Sequence, residues 1–134
     1  MHIPSIIGYE KVAIESAAAV ANMMGFHPTR VEDLKTAVGE ACTNAMAHGN
    51  RLKKNTKVLV SLQIKNECLE VNVRDEGQGL QKKIKVPKIE KQILGGQDIS
   101  GWGIFLIKNL VDEVEFKKVP RGGNVTRMVI HLDR

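Results

Sequence analysis

Residues 34–50 read LKTAVGEACTNAMAHGN. Leu34, Ala37, Val38, Ala41 and Ala45 recur at helical spacing and form one apolar stripe. The stretch predicts an amphipathic helix that ends near His48-Gly49-Asn50. Upstream, Thr29 followed by Glu32 fits a capping box and sets the expected start. A polar row borders the stripe. Glu40, Asn44 and His48 stand at i, i+4 and i+8 and so share one helical face. A carboxylate and an amide in a half-buried row need partners, because unpaired burial is expensive. On spacing alone, a solvent-facing row fits equally well.

Working outward, residues 8–24 predict a preceding helix. Val12, Ala13, Ala17, Val20, Ala21 and Met24 fall near helical spacing, and Gly25 suits its stop. The opening MHIPS is an edge strand at best, because Pro4 cannot donate to a ladder. On the other side, Val58, Val60, Leu62 and Ile64 alternate with less apolar residues. Leu69, Val71 and Val73 then do the same beyond an Asn66-Glu67 turn, so the pair predicts a hairpin. Residues 75–102 break the pattern with five glycines and one proline. Such a long irregular stretch is usually functional, often a lid. Helical periodicity returns at 103–112 with Ile104, Leu106, Ile107, Leu110 and Val111. Val114 and Phe116 begin a strand, Pro120-Arg121-Gly122-Gly123 turns it, and Met128, Ile130 and Leu132 alternate in a last strand. The sum is one α+β domain over residues 1–134, with helices on one face of a mixed, mostly antiparallel sheet.

Composition narrows the function classes. The chain has 134 residues, 43% of them hydrophobic and only 4% aromatic, so its core is aliphatic. That balance excludes disorder and collagen-like repeats. No apolar run approaches the roughly 20 residues of a membrane helix, and MHIPSIIGYEKV does not read as a secretory signal. Cys42 and Cys68 form no metal-binding spacing and read as reduced thiols of a cytoplasmic protein. The net charge of +5 has its densest cluster at Lys82, Lys83, Lys85, Lys88 and Lys91. Without interleaved aromatics, this cluster reads as a solvated loop rather than a nucleic-acid patch.

Two glycine-bearing stretches sit where chemistry is often placed. Asp75-Glu76-Gly77-Gln78-Gly79 follows a predicted strand, and its glycines permit close approach of a ligand. Ser100-Gly101-Trp102-Gly103 precedes a predicted helix, where backbone N–H groups favour an anion. Each alone is weak; a tight turn or a plain loop-to-helix joint fits either. Neither a phosphate-binding P-loop nor a Rossmann fingerprint is present.

The order of the stretches is more specific than any one of them. EACTNAMAHGN, then DEGQG, then SGWGIFLIKNLVDEV resembles the GHKL ATPase superfamily of gyrases, chaperones, histidine kinases and mismatch-repair proteins. LKTAVGEACTNAMAHGN, VRDEGQGL and GGNVTRMVIHL resemble one branch in particular, the bacterial anti-sigma-factor serine/threonine kinases. The resemblance covers nearly the whole chain.

The resemblance implies a two-layer Bergerat sandwich with nucleotide held between helices and sheet. It implies Asn44 as the ligand of a Mg²⁺ ion bridging the phosphates of ATP, and Glu40 as general base on the incoming hydroxyl. Asp75 would bind the adenine amine with support from Thr126. Gly77 and Gly79 would let the base lie close, and Gly101 and Gly103 would offer amides to the phosphates. His48 and Trp102 join the nucleotide-contacting set, and residues 81–100 would form the ATP lid. The implied activity is an ATP-dependent protein serine kinase and anti-sigma factor that binds a sigma factor and phosphorylates a STAS-domain antagonist, acting as a homodimer without membrane or nucleic acid. Lys11 sits where a basic residue would face such partners. Two other readings stay open: a nucleotide-gated binding module that transfers nothing, and a histidine-kinase-type catalytic domain.

Overall fold

The computed structural model describes residues 1–77 and 98–132. Strand β1 (His2–Pro4) leads into helices α1 (Glu10–Met24) and α2 (Pro28–Asn44), and α2 runs on into a single π-helical turn, Ala45–Gly49. The hairpin β2 (Lys57–Lys65) and β3 (Cys68–Arg74) follows. Helix α3 (Asp98–Leu110) and strands β4 (Glu113–Lys118) and β5 (Asn124–His131) complete the described chain.

The five strands form one sheet in the order β1-β2-β3-β5-β4. Every pairing among the described residues is antiparallel, so the sheet they form is not mixed. Strand β1 occupies an edge, where Pro4 costs no ladder bond. Alternation decides which face is buried. Val58 and Val60, Leu69, Val71 and Val73, and Met128 and Ile130 meet the helical layer. The opposite face carries charge, with Arg127 paired to Glu70 at 3.3 Å and to Glu115 at 3.3 Å.

Helix α2 is the centre of the helical layer. Val31, Leu34, Ala37, Val38, Ala41 and Cys42 are all buried, as the stripe predicts. Burying a Leu or Val side chain is worth roughly 1.5–3 kcal/mol, so this stripe anchors the helix to the sheet. Burial pushes the Cys42 thiol up to about 12, with Glu10 adding to the shift, so it stays protonated and unreactive. Cys68 is a partly buried free thiol.

Two helix starts differ from the sequence expectation. Pro28 takes the first position of α2, so the cap is His27, whose Nδ1 accepts the Thr29 N–H at 3.1 Å. Thr29 is thereby already helical and the Thr29/Glu32 box does not form; Glu32 pairs instead with Lys35 at 3.5 Å. Helix α3 begins at Asp98, so Ser100-Gly101-Trp102-Gly103 lies inside the helix rather than before it. The expected lid, residues 81–100, lies outside the described residues apart from the helical backbone of 98–100, and the lysine cluster and Gly79 lie outside them as well.

Candidate functional site

Both helical and strand elements converge on one cavity of about 340 Å³ between the helical layer and the sheet. That volume falls in the range of roughly 300–1,000 Å³ usual for small-molecule sites. Its helical wall is Ala41 and Asn44 from the end of α2, continued by Ala45, His48 and Gly49 of the π turn. Its floor is Val73, Asp75 and Thr126 from the facing ends of β3 and β5. Ile104 of α3 and Phe116 of β4 close two further sides.

The sequence builds this corner by changing the helix pitch. Asn50 N–H reaches back to the Ala45 carbonyl at 2.9 Å, a five-residue step that widens the last turn. Asn44 and His48 both lie on the cavity wall. Partial burial of the His48 ring holds its pKa below the usual histidine value, which favours the neutral imidazole. Among the predicted polar row, Glu40 departs. It lines a neighbouring groove between α1 and α2, together with Glu10, Ile14 and Thr43. Gly103 sits where the two openings meet. A Cβ there would stand 2.9 Å from Glu40 Oε1 and 3.0 Å from Asn44 Nδ2. The missing side chain thus lets α3 approach while the carboxylate and the amide keep their places.

Asp75 is the most constrained polar group of the cavity. It is only 7% exposed. Its Oδ1 accepts N–H groups from Gly77 at 2.8 Å and Asn124 at 3.1 Å, and its own N–H donates to the Asn124 carbonyl at 3.0 Å. Its Oδ2 is turned toward Gly49, where any Cβ would collide with the carboxylate. Burial raises the Asp75 pKa, and the Asn124 and Gly77 N–H groups oppose that rise. A carboxyl raised in this way makes the folded state most stable below the ordinary aspartate range. That contribution is lost as pH climbs through the raised value. The buried carboxyl therefore contributes less to stability as its charged form is populated.

The loop after Asp75 is held against a second loop, backbone on backbone. Gly77 has φ 71° and Gly123 has φ 98°. A Cβ on Gly77 would collide with Gly123 N, and one on Gly123 would collide with the Asp75 carbonyl oxygen. Glycine is required at both positions by conformation and by space.

The structure brings together Asn44, His48, Asp75 and Thr126 on the cavity, with Gly77 supporting Asp75 and Gly103 at the rim. It does not bring Trp102 there. Trp102 is 60% exposed and stacks on Phe105 with ring centroids 5.4 Å apart. Gly101 and Gly103 both lie within α3, Gly101 among its first four described residues and Gly103 beyond them. Gly49, Asn50 and Gly123 were not singled out by sequence reasoning. Their signals were present as HGN at the helix end and GGN before the last strand, but only the folded contacts give them a purpose.

Asn44 suits a Mg²⁺ ion by the chemistry of its amide oxygen. Among the described residues no three His, Cys, Asp or Glu side chains gather to cage a metal. A single neutral oxygen donor fits an ion held mainly by phosphates and water.

Comparisons with known proteins place the chain in a family. A family model described as the histidine kinase-like ATPase domain matches residues 5–130. The serine-protein kinase RsbW of Bacillus subtilis (strain 168) is 34% identical over 118 residues, covering 85% of this chain and 74% of its own. The protein of the same name from Oceanobacillus iheyensis is 33% identical over 119 residues, covering 86% and 75%. That from Bacillus velezensis is 33% identical over 130 residues, covering 94% and 79%.

The glycine seam gives a direct stability test. Gly123→Ala is expected to lower unfolding free energy by about 2 kcal/mol or more in urea titration, from the combined strain and collision. Unchanged stability would show that the two loops can part freely.

Proposed function

The chain belongs to the histidine kinase-like ATPase family, on the branch of its serine-protein kinases, and from that premise we propose that it is an ATP-dependent protein serine kinase acting as an anti-sigma factor. In this reading it transfers the γ-phosphate of MgATP to a serine of a STAS-domain antagonist and binds a sigma factor, working as a homodimer. The observation that carries the nucleotide part is the buried Asp75 carboxylate, with Oδ1 held by two backbone amides and Oδ2 on the Gly49 side of the cavity. An acceptor so fixed matches an exocyclic amine of a flat base. Thr126, also on the cavity floor, supports it from the neighbouring strand.

Phosphoryl transfer asks chiefly for positioning and charge neutralisation. Asn44 would hold the metal through its amide oxygen, and the bound Mg²⁺ would supply neutralising charge between phosphate oxygens. Residues 81–100 are proposed to close over the nucleotide as a lid. Glu40 is proposed as the general base. Its carboxylate lies in the groove beside the cavity, on the same helix and one turn before Asn44, so the acceptor hydroxyl would enter from the α1–α2 side and give its proton to Glu40. Lys11 stands on the exposed face of α1, where protein partners would pass. No helix among the described residues is long and apolar enough to cross a membrane.

Two variants separate binding from transfer. Asp75→Asn is expected to weaken ATP binding by about tenfold or more in calorimetry, the scale of one lost hydrogen bond to a charged group. Its melting temperature should not fall, because the substitution removes a buried charge and keeps an acceptor for the Gly77 and Asn124 amides. Undiminished ATP affinity would take Asp75 out of the site. Glu40→Gln is expected to bind ATP within about twofold of wild type yet to label a STAS-domain substrate at least ~100-fold more slowly, the range for a lost general base. Wild-type rates of phosphoserine formation in that variant would remove Glu40 from the chemistry. Absence of transfer by the wild type, with ATP bound, would favour the binding module.

A further inference from the structure

Behind the cavity lies a polar cluster that none of the proposed roles uses. Asn50 is fully buried, at 0% exposure. Its Nδ2 donates to Ser5 Oγ at 2.9 Å and to the Lys57 carbonyl at 3.0 Å. Its Oδ1 accepts the Glu76 N–H at 2.7 Å. Ser5 Oγ and Thr56 Oγ1 are hydrogen-bonded to each other at 2.9 Å, and the Glu76 carboxylate accepts the Lys57 N–H at 2.7 Å. An amide this deep is costly unless its donors and acceptor are all engaged, and here they are.

The bond to Glu76 matters most. The Glu76 N–H belongs to the peptide unit that joins Asp75 to Glu76. Asn50 therefore grips the backbone directly behind the Asp75 carboxylate. The opposite side of the same loop is pressed by Gly123, which leaves no room beyond the Asp75 carbonyl. Asn50 is also the residue that closes the π turn on the Ala45 carbonyl. One side chain thus ties the end of the Asn44 helix to the Asp75 loop.

We propose that Asn50 is a positioning residue for adenine recognition: its Oδ1 bond to the Glu76 amide fixes the orientation of the Asp75 carboxylate toward the 6-amino group of the base. The proposal deepens the reading of Asp75 given above and rests on it. Asn50 touches no ligand. Its effect is specific to the amine, whereas a merely structural role would weaken all nucleotides alike.

The test compares ATP with purine riboside triphosphate, which lacks the 6-amino group, by calorimetry with Mg²⁺. Wild type is expected to prefer ATP by about tenfold, the scale of one hydrogen bond to a charged acceptor. Asn50→Ala should bring that preference to within about twofold, leaving affinity for the analogue within about twofold of wild type. Ser5→Ala loosens the same cluster without touching Glu76 and should keep the preference. If Asn50→Ala fails to fold by circular dichroism, Asn50→Asp carries the test. It retains the acceptor for Glu76 and should keep the preference despite a lower melting temperature. Equal loss for both nucleotides in Asn50→Ala, a retained preference there, or a lost preference in folded Asn50→Asp would overturn the proposal. A wild type that does not distinguish the two nucleotides would instead overturn the reading of Asp75 itself.

Discussion

One carboxylate oxygen, Asp75 Oδ1, held by the amides of Gly77 and Asn124, fixes the geometry on which the cavity depends. Desolvation alone would make a buried aspartate give up its charge. Two N–H bonds to the ionised form oppose part of that penalty, and they choose which oxygen is left toward Gly49. The arrangement works only because two loops meet without side chains between them. Gly77 and Gly123 supply that seam, and their positive φ angles fit no ordinary residue without strain. The cavity floor is therefore a consequence of backbone packing first and of side-chain chemistry second.

The helical wall follows a different rule. Helix α2 is bound to the sheet by its apolar stripe, so its polar residues are placed by where the stripe must lie. Glu40 and Asn44 end on either side of the Gly103 contact, one in the groove toward α1 and one in the cavity. The π turn then opens the helix and brings His48 and Gly49 to the same wall. A nucleotide between the layers would meet an amide and an imidazole from above and a carboxylate from below. Placing the proposed base Glu40 on the same rigid helix as Asn44, the proposed metal ligand, suits a reaction in which positioning carries most of the rate.

Much of this was readable from residue order. The stripe at Leu34–Ala45, the alternating hairpin and the closing strand each have a period that only one secondary structure fits, and the edge position of β1 follows from Pro4. Asn44, Asp75 and Thr126, which the family resemblance picks out, lie on one cavity. What sequence did not reveal depends on contacts between distant segments. Thr29 looks like a cap by local rule, yet Pro28 shifts the helix start and hands the cap to His27. The start of α3 at Asp98 is hidden because its first residues are not apolar at helical spacing. Trp102 resembles a site residue only by its neighbours in the chain, and in space it turns outward to Phe105. Asn50 and Gly123 gain their meaning from segments that come together only on folding.

The most direct measurement of the central claim is a titration of MgATP into isotope-labelled protein, followed by backbone amide resonances. The account predicts saturable shifts at Gly49, Asp75, Gly77, Asn124 and Thr126, with Glu70 and Arg127 on the far face of the sheet unmoved. Saturation of the protein with nucleotide while the Asp75, Asn124 and Thr126 amides stay still, or no binding at all by folded protein, would contradict it.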